Sequence, residues 1–165
     1  VSTAANPSPG RQLLRYWDRL STLPFGKRIF SWAVGRTAPY TGSVGGVYTD
    51  VRAGYARVTL RDRRAVRNHL ASVHAVALVN LAEMTSGVAL MTALPDGVRG
   101  IVTGLSIEYL KKARGALTCE THAAAPLAVT SAITHEVLAT ITDTAGDVVS
   151  RCTVHWRLSP PVVAS

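Results

Sequence analysis

The chain has 165 residues, 47% of them apolar and 17% charged, which suits one globular domain with a real core and excludes a disordered chain. Its formal charge of +8 favours an anionic partner: nucleic acid, acidic lipid or a phosphorylated ligand. An arginine-rich composition with no function behind it explains the same total about equally well.

Residues 1–10 are small, polar and proline-punctuated, and read as a loose tail without the basic start and apolar core of a signal peptide. Arg11 to Leu23 reads as an amphipathic helix. Leu13, Leu14, Trp17 and Leu20 share one side, and Arg11, Arg15 and Arg19 the other. Pro24 and Gly26 punctuate it, and Lys27 to Val34 forms a second short helix. A helical lid packed on the domain's own core is favoured for this extension over a membrane-surface helix.

Ala38-Pro39-Tyr40-Thr41-Gly42 marks a turn into β structure. Val44 to Arg52 and Tyr55 to Leu60 pair as a hairpin through Ala53-Gly54. The basic run Arg61, Arg63, Arg64 and Arg67 then reads as a solvated loop, with a phosphate contact as the sharper alternative.

From Val73 a long helix is expected, with Val76, Ala77, Leu78, Val79, Leu81, Ala82, Val88, Ala89, Leu90 and Met91 spread around its circumference. A helix apolar all round is one the fold surrounds. Glu83 is the one ionisable side chain in it after His74, and it keeps the run below the length of a membrane span. An enclosed carboxylate costs several kcal/mol (roughly) unless paired or hydrogen-bonded, so Glu83 is either a site of chemistry or a structural acid.

Pro95-Asp96-Gly97 stops the helix, and four strands are expected as an antiparallel meander. Ile101 to Leu110 places Ile101, Leu105, Ile107 and Tyr109 on one face. Ala116 to Ala125 follows the Lys111–Gly115 turn. Ser131 to Thr142 aligns Ile133, Val137, Ala139 and Ile141. Asp147 to Leu158 aligns Val148, Cys152, Val154 and Trp156. Cys119 and Cys152 lack CxxC spacing and read as buried free thiols, which fits a cytoplasmic address. His69, His122, His135 and His155 show no metal-ligand spacing, so no metal is expected.

The sum is an α+β architecture in which one sheet wraps a long apolar helix. Residues 1–37 form a tail and helical extension, 38–159 the sheet-and-helix domain, and 160–165 a C-terminal tail.

Asn68, His74, Leu81, Glu83 and Gly87 stand in the register of a motif that resembles the hotdog-fold acyl-CoA thioesterases of the phenylacetate-pathway and 4-hydroxybenzoyl-CoA type. Val102-Thr103, Glu108-Tyr109-Leu110, Ala113-Arg114-Gly115 and Ala145-Gly146-Asp147 resemble that family's strand and turn pattern. The likeness runs from about Ala38 to Leu158. The N-terminal helices with the Ala-Pro-Tyr turn look closest to a branch of hotdog proteins that carries such an extension. The chain departs from the family at Ala75-Val76, where Gly-Gly is usual, and at Pro126–Thr130, where Gly-Arg is frequent.

The resemblance implies hydrolysis of an acyl-CoA, or of an acyl-carrier-protein thioester, with coenzyme A as part of the substrate and no other cofactor. It assigns the Ala75 N–H to the thioester carbonyl and Glu83 to nucleophile or general base. Asn68 is a water-positioning residue or a turn residue. His74 closes the strand-to-helix turn in preference to moving protons. Gly87 permits acyl entry, and Lys111, Lys112 and Arg114 grip phosphates or form a solvated turn. Ala75 and Glu83 lie eight residues apart, about 12 Å along one helix, so one chain cannot bring both to one carbonyl. A two-fold dimer with antiparallel central helices would, and a homodimer or dimer of dimers is expected. The apolar helix suggests a medium or long acyl group in a pocket shaped by two chains.

The rival reading is a non-catalytic acyl-CoA-binding or sensing module, favoured if Ala75-Val76 blocks productive approach. A nucleic-acid partner is not expected, since the chain lacks the aromatic–basic interleaving of a stacking surface. A hotdog dehydratase would need a different motif.

Overall fold

The computed structural model describes residues 8–161. Most of the tail expected over residues 1–10, and the end of the one expected over 160–165, lies outside the described residues. Pro9 and Gly10, assigned to that tail, are helical. The first helix, α1 (Pro9–Leu20), starts at Ser8, whose hydroxyl accepts the Arg11 N–H at 3.3 Å. Proline suits the first helical position because its missing N–H would have no partner there. Gly10 lets this helix touch the backbone at Met91, since a Cβ would stand 1.9 Å from that carbonyl oxygen. The helix ends at Leu20, three residues before the expected stop, as Pro24 disfavours helical dihedrals at Leu23.

The second helix, α2 (Gly26–Thr37), is followed by a third, α3 (Pro39–Val44), where the sequence suggested only a turn into β structure. Pro39 again starts a helix, and Gly45 ends it at a left-handed φ of 71°. The hairpin strands are therefore β1 (Val47–Arg52), three residues shorter than expected, and β2 (Tyr55–Leu60). Trp17, Phe30 and Tyr48 stack edge to face, with centroids 5.2 and 5.5 Å apart, and pin α1 and α2 to β1.

The central helix, α4 (Ala75–Ala93), has 19 residues and is capped by His74. Contrary to the expectation from Glu83, it is long and apolar enough to cross a membrane by length and composition, with a mean hydropathy of 1.4. The fold surrounds it instead, burying 67% of that window.

The remaining strands are β3 (Arg99–Tyr109), β4 (Leu117–His122), β5 (Ile133–Thr142) and β6 (Val148–Ser159). They complete one six-stranded antiparallel sheet in the order β1-β2-β4-β5-β6-β3. The sheet curls around α4, which is the hotdog fold. The expected meander fails at β3, which pairs with β6 at the far edge and not with β4. The helix carries the chain across the sheet, and β4 to β6 later fill the gap. Only β4-β5-β6 is a meander.

Two bulges also change facing. Thr103 interrupts β3, so Val102, Leu105, Ile107 and Tyr109 face inward, whereas Ile101 turns outward and is 64% exposed. Val149 interrupts β6, so Val148 falls off the face formed by Cys152, Val154, Trp156 and Leu158. Cys119 and Cys152 are buried free thiols, and burial pushes them up to about 12 and about 11.

Candidate functional site

The start of α4 is built by a tight loop. The Asn68 side-chain oxygen accepts the Leu70 N–H at 2.9 Å, the Ser72 N–H at 3.3 Å and the Ser72 hydroxyl at 3.2 Å. That shape holds Ala71 at a left-handed φ of 53° and returns the chain for an Arg67–Val73 bridge. Asn68 thus acts as a turn residue in this structure. His74 is the helix cap: its Nδ1 accepts the Val76 N–H at 3.1 Å, and its own N–H donates to Val66 at 2.8 Å.

The Ala75 N–H, one position before the capped one, has no acceptor among the described residues. It points out of a helix end that carries partial positive charge. The Tyr109 hydroxyl, on β3, donates to the Ala75 carbonyl at 3.4 Å. This places the helix end beside the free edge of the sheet. Tyr109 is 50% exposed, and Val76 51%.

The Lys111–Gly115 turn meets the same end of α4, since Val73 donates to the Ala113 carbonyl at 2.8 Å. Lys111 is held by Asp143 and Asp147, both at 2.6 Å. Lys112 and Arg114 are exposed.

Glu83 sits at the middle of α4 and Gly87 one turn past it, on a different stripe from Ala75. Both line a cavity of about 530 Å³ roofed by α1 and α2. Leu13, Leu20, Phe30, Val88 and Met91 make its wall mostly apolar, and this room is formed within one chain. Glu83 is half-buried. Desolvation by burial raises its pKa, and the neighbouring Thr41 side chain pulls it back down. Tyr48, fully buried beside it, donates to the Met84 carbonyl at 2.8 Å, and burial and then the Glu83 charge raise its pKa strongly. Gly87 stands against Trp156, whose ring a Cβ would meet at 3.4 Å. The buried Trp156 indole N–H has no partner among the described residues.

The candidate residues therefore form two groups. Asn68, His74, Ala75 and the Lys111–Arg114 turn gather at the start of α4, and Glu83 and Gly87 lie in the cavity. The two centres are eight helical residues apart, about 12 Å. No three His, Cys, Asp or Glu side chains among the described residues are placed to hold a metal. Sequence reasoning missed Thr41, Tyr48, Asn80 and Trp156. Asn80, which donates from Nδ2 to the Tyr40 carbonyl at 3.2 Å, clamps α3 to α4. The available signal was Asn80, the one polar side chain over Ala75 to Ala82 at the start of α4.

A family model described as a domain of unknown function, DUF4442, matches residues 26–158. No curated protein matches the sequence. A structural-genomics protein, APC5556, is 30% identical, with 91% of this chain and 97% of that one covered and a TM-score of 0.76. PA5026 of Pseudomonas aeruginosa, described as a probable thioesterase, is 18% identical over 83% of this chain and 96% of its own, with a TM-score of 0.69. A hypothetical thioesterase of Streptococcus pneumoniae TIGR4, solved with coenzyme A, is 19% identical over 78% and 99%, with a TM-score of 0.64.

Proposed function

The chain belongs to the DUF4442 family and has the hotdog fold of thioesterase-family proteins, and from that premise we propose that it hydrolyses an acyl-CoA thioester at a site shared by two protomers. The observation that carries this reading is Glu83, a half-buried carboxylate with a raised pKa in the wall of a large apolar cavity. Such a group is a stronger base than an exposed carboxylate and is suited to activate water. The apolar room takes the acyl chain.

In the proposed reaction Glu83 removes a proton as the water oxygen bonds to the thioester carbonyl carbon. The Ala75 N–H of the other protomer stabilises the resulting oxyanion. Collapse breaks the C–S bond, and the proton on Glu83 passes to the leaving sulfur. The products are the free acid and the thiol.

Two observations support pairing of protomers. The edge strand β3 has 11 residues, and its inward face leaves Leu105 43% and Tyr109 50% exposed. A free edge with apolar neighbours is a template for strand pairing. Joining two β3 edges antiparallel also sets two α4 helices antiparallel, which would bring Glu83 of each toward Ala75 of the other.

The test is thiol release from a panel of acyl-CoA esters by wild type and Glu83→Gln of equal folding. A loss of about a hundredfold or more in the variant is expected. A second reading, acyl-CoA binding without turnover, is favoured by one observation: the Val76 side chain stands half-exposed where the resemblance has glycine. Saturable binding with no thiol release from any ester would select it.

A further inference from the structure

A second cleft, of about 570 Å³, opens on the other side of α2, against α3 and the start of β1. Arg28, Trp32 and Arg36 line it from three successive turns of α2, one above the other on a single face. Trp32 is 67% exposed, with the Arg36 guanidinium 5.9 Å from its ring centre. Neither arginine has an ion pair among the described residues, and no acidic residue lines the cleft. Thr41 and Met84 line both this cleft and the apolar cavity that holds Glu83, so the two rooms meet at the proposed reacting centre.

Guanidinium groups pair with phosphate oxygens in two parallel hydrogen bonds, and an indole face stacks a purine. A cleft with both, joined at Thr41 and Met84 to a cavity that holds a carboxylate, suits a phosphorylated nucleotide on a thiol-bearing arm. We propose that the Arg28–Trp32–Arg36 cleft holds the phosphorylated nucleotide of coenzyme A, with its arm passing Thr41 and Met84 toward Glu83. The inference rests on the thioesterase reading for its ligand, and it moves the phosphate grip away from the Lys111–Arg114 turn, where Lys111 is already held by Asp143 and Asp147. It also favours free coenzyme A esters over carrier-protein thioesters, whose arm bears no nucleotide.

Calorimetric titration of the full chain with coenzyme A tests this without turnover. Arg28→Ala/Arg36→Ala and Trp32→Ala are each expected to weaken binding about tenfold or more. Adenosine 3′,5′-bisphosphate should compete with coenzyme A on the wild type and lose affinity in the same variants. Unchanged affinity in both variants, or a fall only in Lys112→Ala/Arg114→Ala, overturns the assignment. So does an effect confined to phosphatidylglycerol vesicles, which would give the arginines to a lipid headgroup. If the wild type binds coenzyme A in this cleft but releases no thiol from its esters, the hydrolase reading fails and this one stands. If it binds no coenzyme A yet hydrolyses carrier-protein thioesters, the reverse holds.

Discussion

The side chain of Thr41, on α3, lines the same cavity as the Glu83 carboxylate, on α4, and opposes the upward pKa shift that burial imposes on it. The extension therefore borders the proposed base as well as the core. Thr41→Val removes the hydroxyl that favours the charged form, so the Glu83 pKa should rise further. A base must be ionised to act, so the rising limb of the pH–rate profile should move to higher pH in the variant. An unshifted limb would mean that Glu83 does not control it.

The same shift has a consequence for stability. A carboxyl with a raised folded-state pKa contributes stability that is complete below its ordinary value of 4.5 and is lost as pH climbs through the folded value. Glu83→Gln abolishes this loss. The variant should melt higher than wild type at neutral pH, with the gap closing toward pH 4, while activity falls. Melting scans across pH check the sign.

The sequence made α4 and the inward face of β5 legible because burial follows the helical and strand periods there. It also exposed Glu83, a charge in an otherwise apolar helix. The facing of Ile101 and Val148 was not legible, since a single bulged residue at Thr103 or Val149 reverses every position beyond it. The position of β3 at the far edge depends on where α4 delivers the chain, a tertiary fact. Pro39 read as a breaker, although at a first helical position it starts a helix. Thr41 and Trp156 join the site only through packing, and periodicity does not report which elements meet.

Gly87 leaves open the cavity wall between Glu83 and Met91. A leucine there should project into the room, whereas alanine meets Trp156 at an ordinary 3.4 Å. Gly87→Leu is expected to lower kcat/KM for long acyl-CoA esters by about tenfold or more and to spare acetyl-CoA, while Gly87→Ala changes little. Equal losses for short and long chains would place the acyl group elsewhere.

His74 tests whether a cap is all that position needs. His74→Ala should cost about 0.5–2 kcal/mol of stability, and His74→Asn should restore it. Activity should follow stability in both variants. A folded His74→Asn enzyme with no turnover would instead give the imidazole a chemical role.

Leu105 lies on the inward face of the free edge strand. Leu105→Arg should disperse charge into the proposed protomer contact, so that sedimentation shows a monomer and thiol release is lost with it. A monomeric variant of full activity would confine the site to one chain.

The most direct test of the shared site uses two inactive variants. Ala75→Pro removes the unpaired N–H at a first helical position that accepts proline, and the preceding His74 already has the extended ψ of 141° that proline requires. Alone it should lower kcat about 10²–10³-fold, the loss typical of an oxyanion donor. Glu83→Gln should also be inactive alone. When the two are unfolded together and refolded as an equal mixture, half of the dimers are mixed, and each holds one intact site. Recovery of about a quarter of wild-type activity is predicted. No recovery, with mixed dimers verified by mass spectrometry, would contradict a site built from Glu83 of one protomer and Ala75 of its partner.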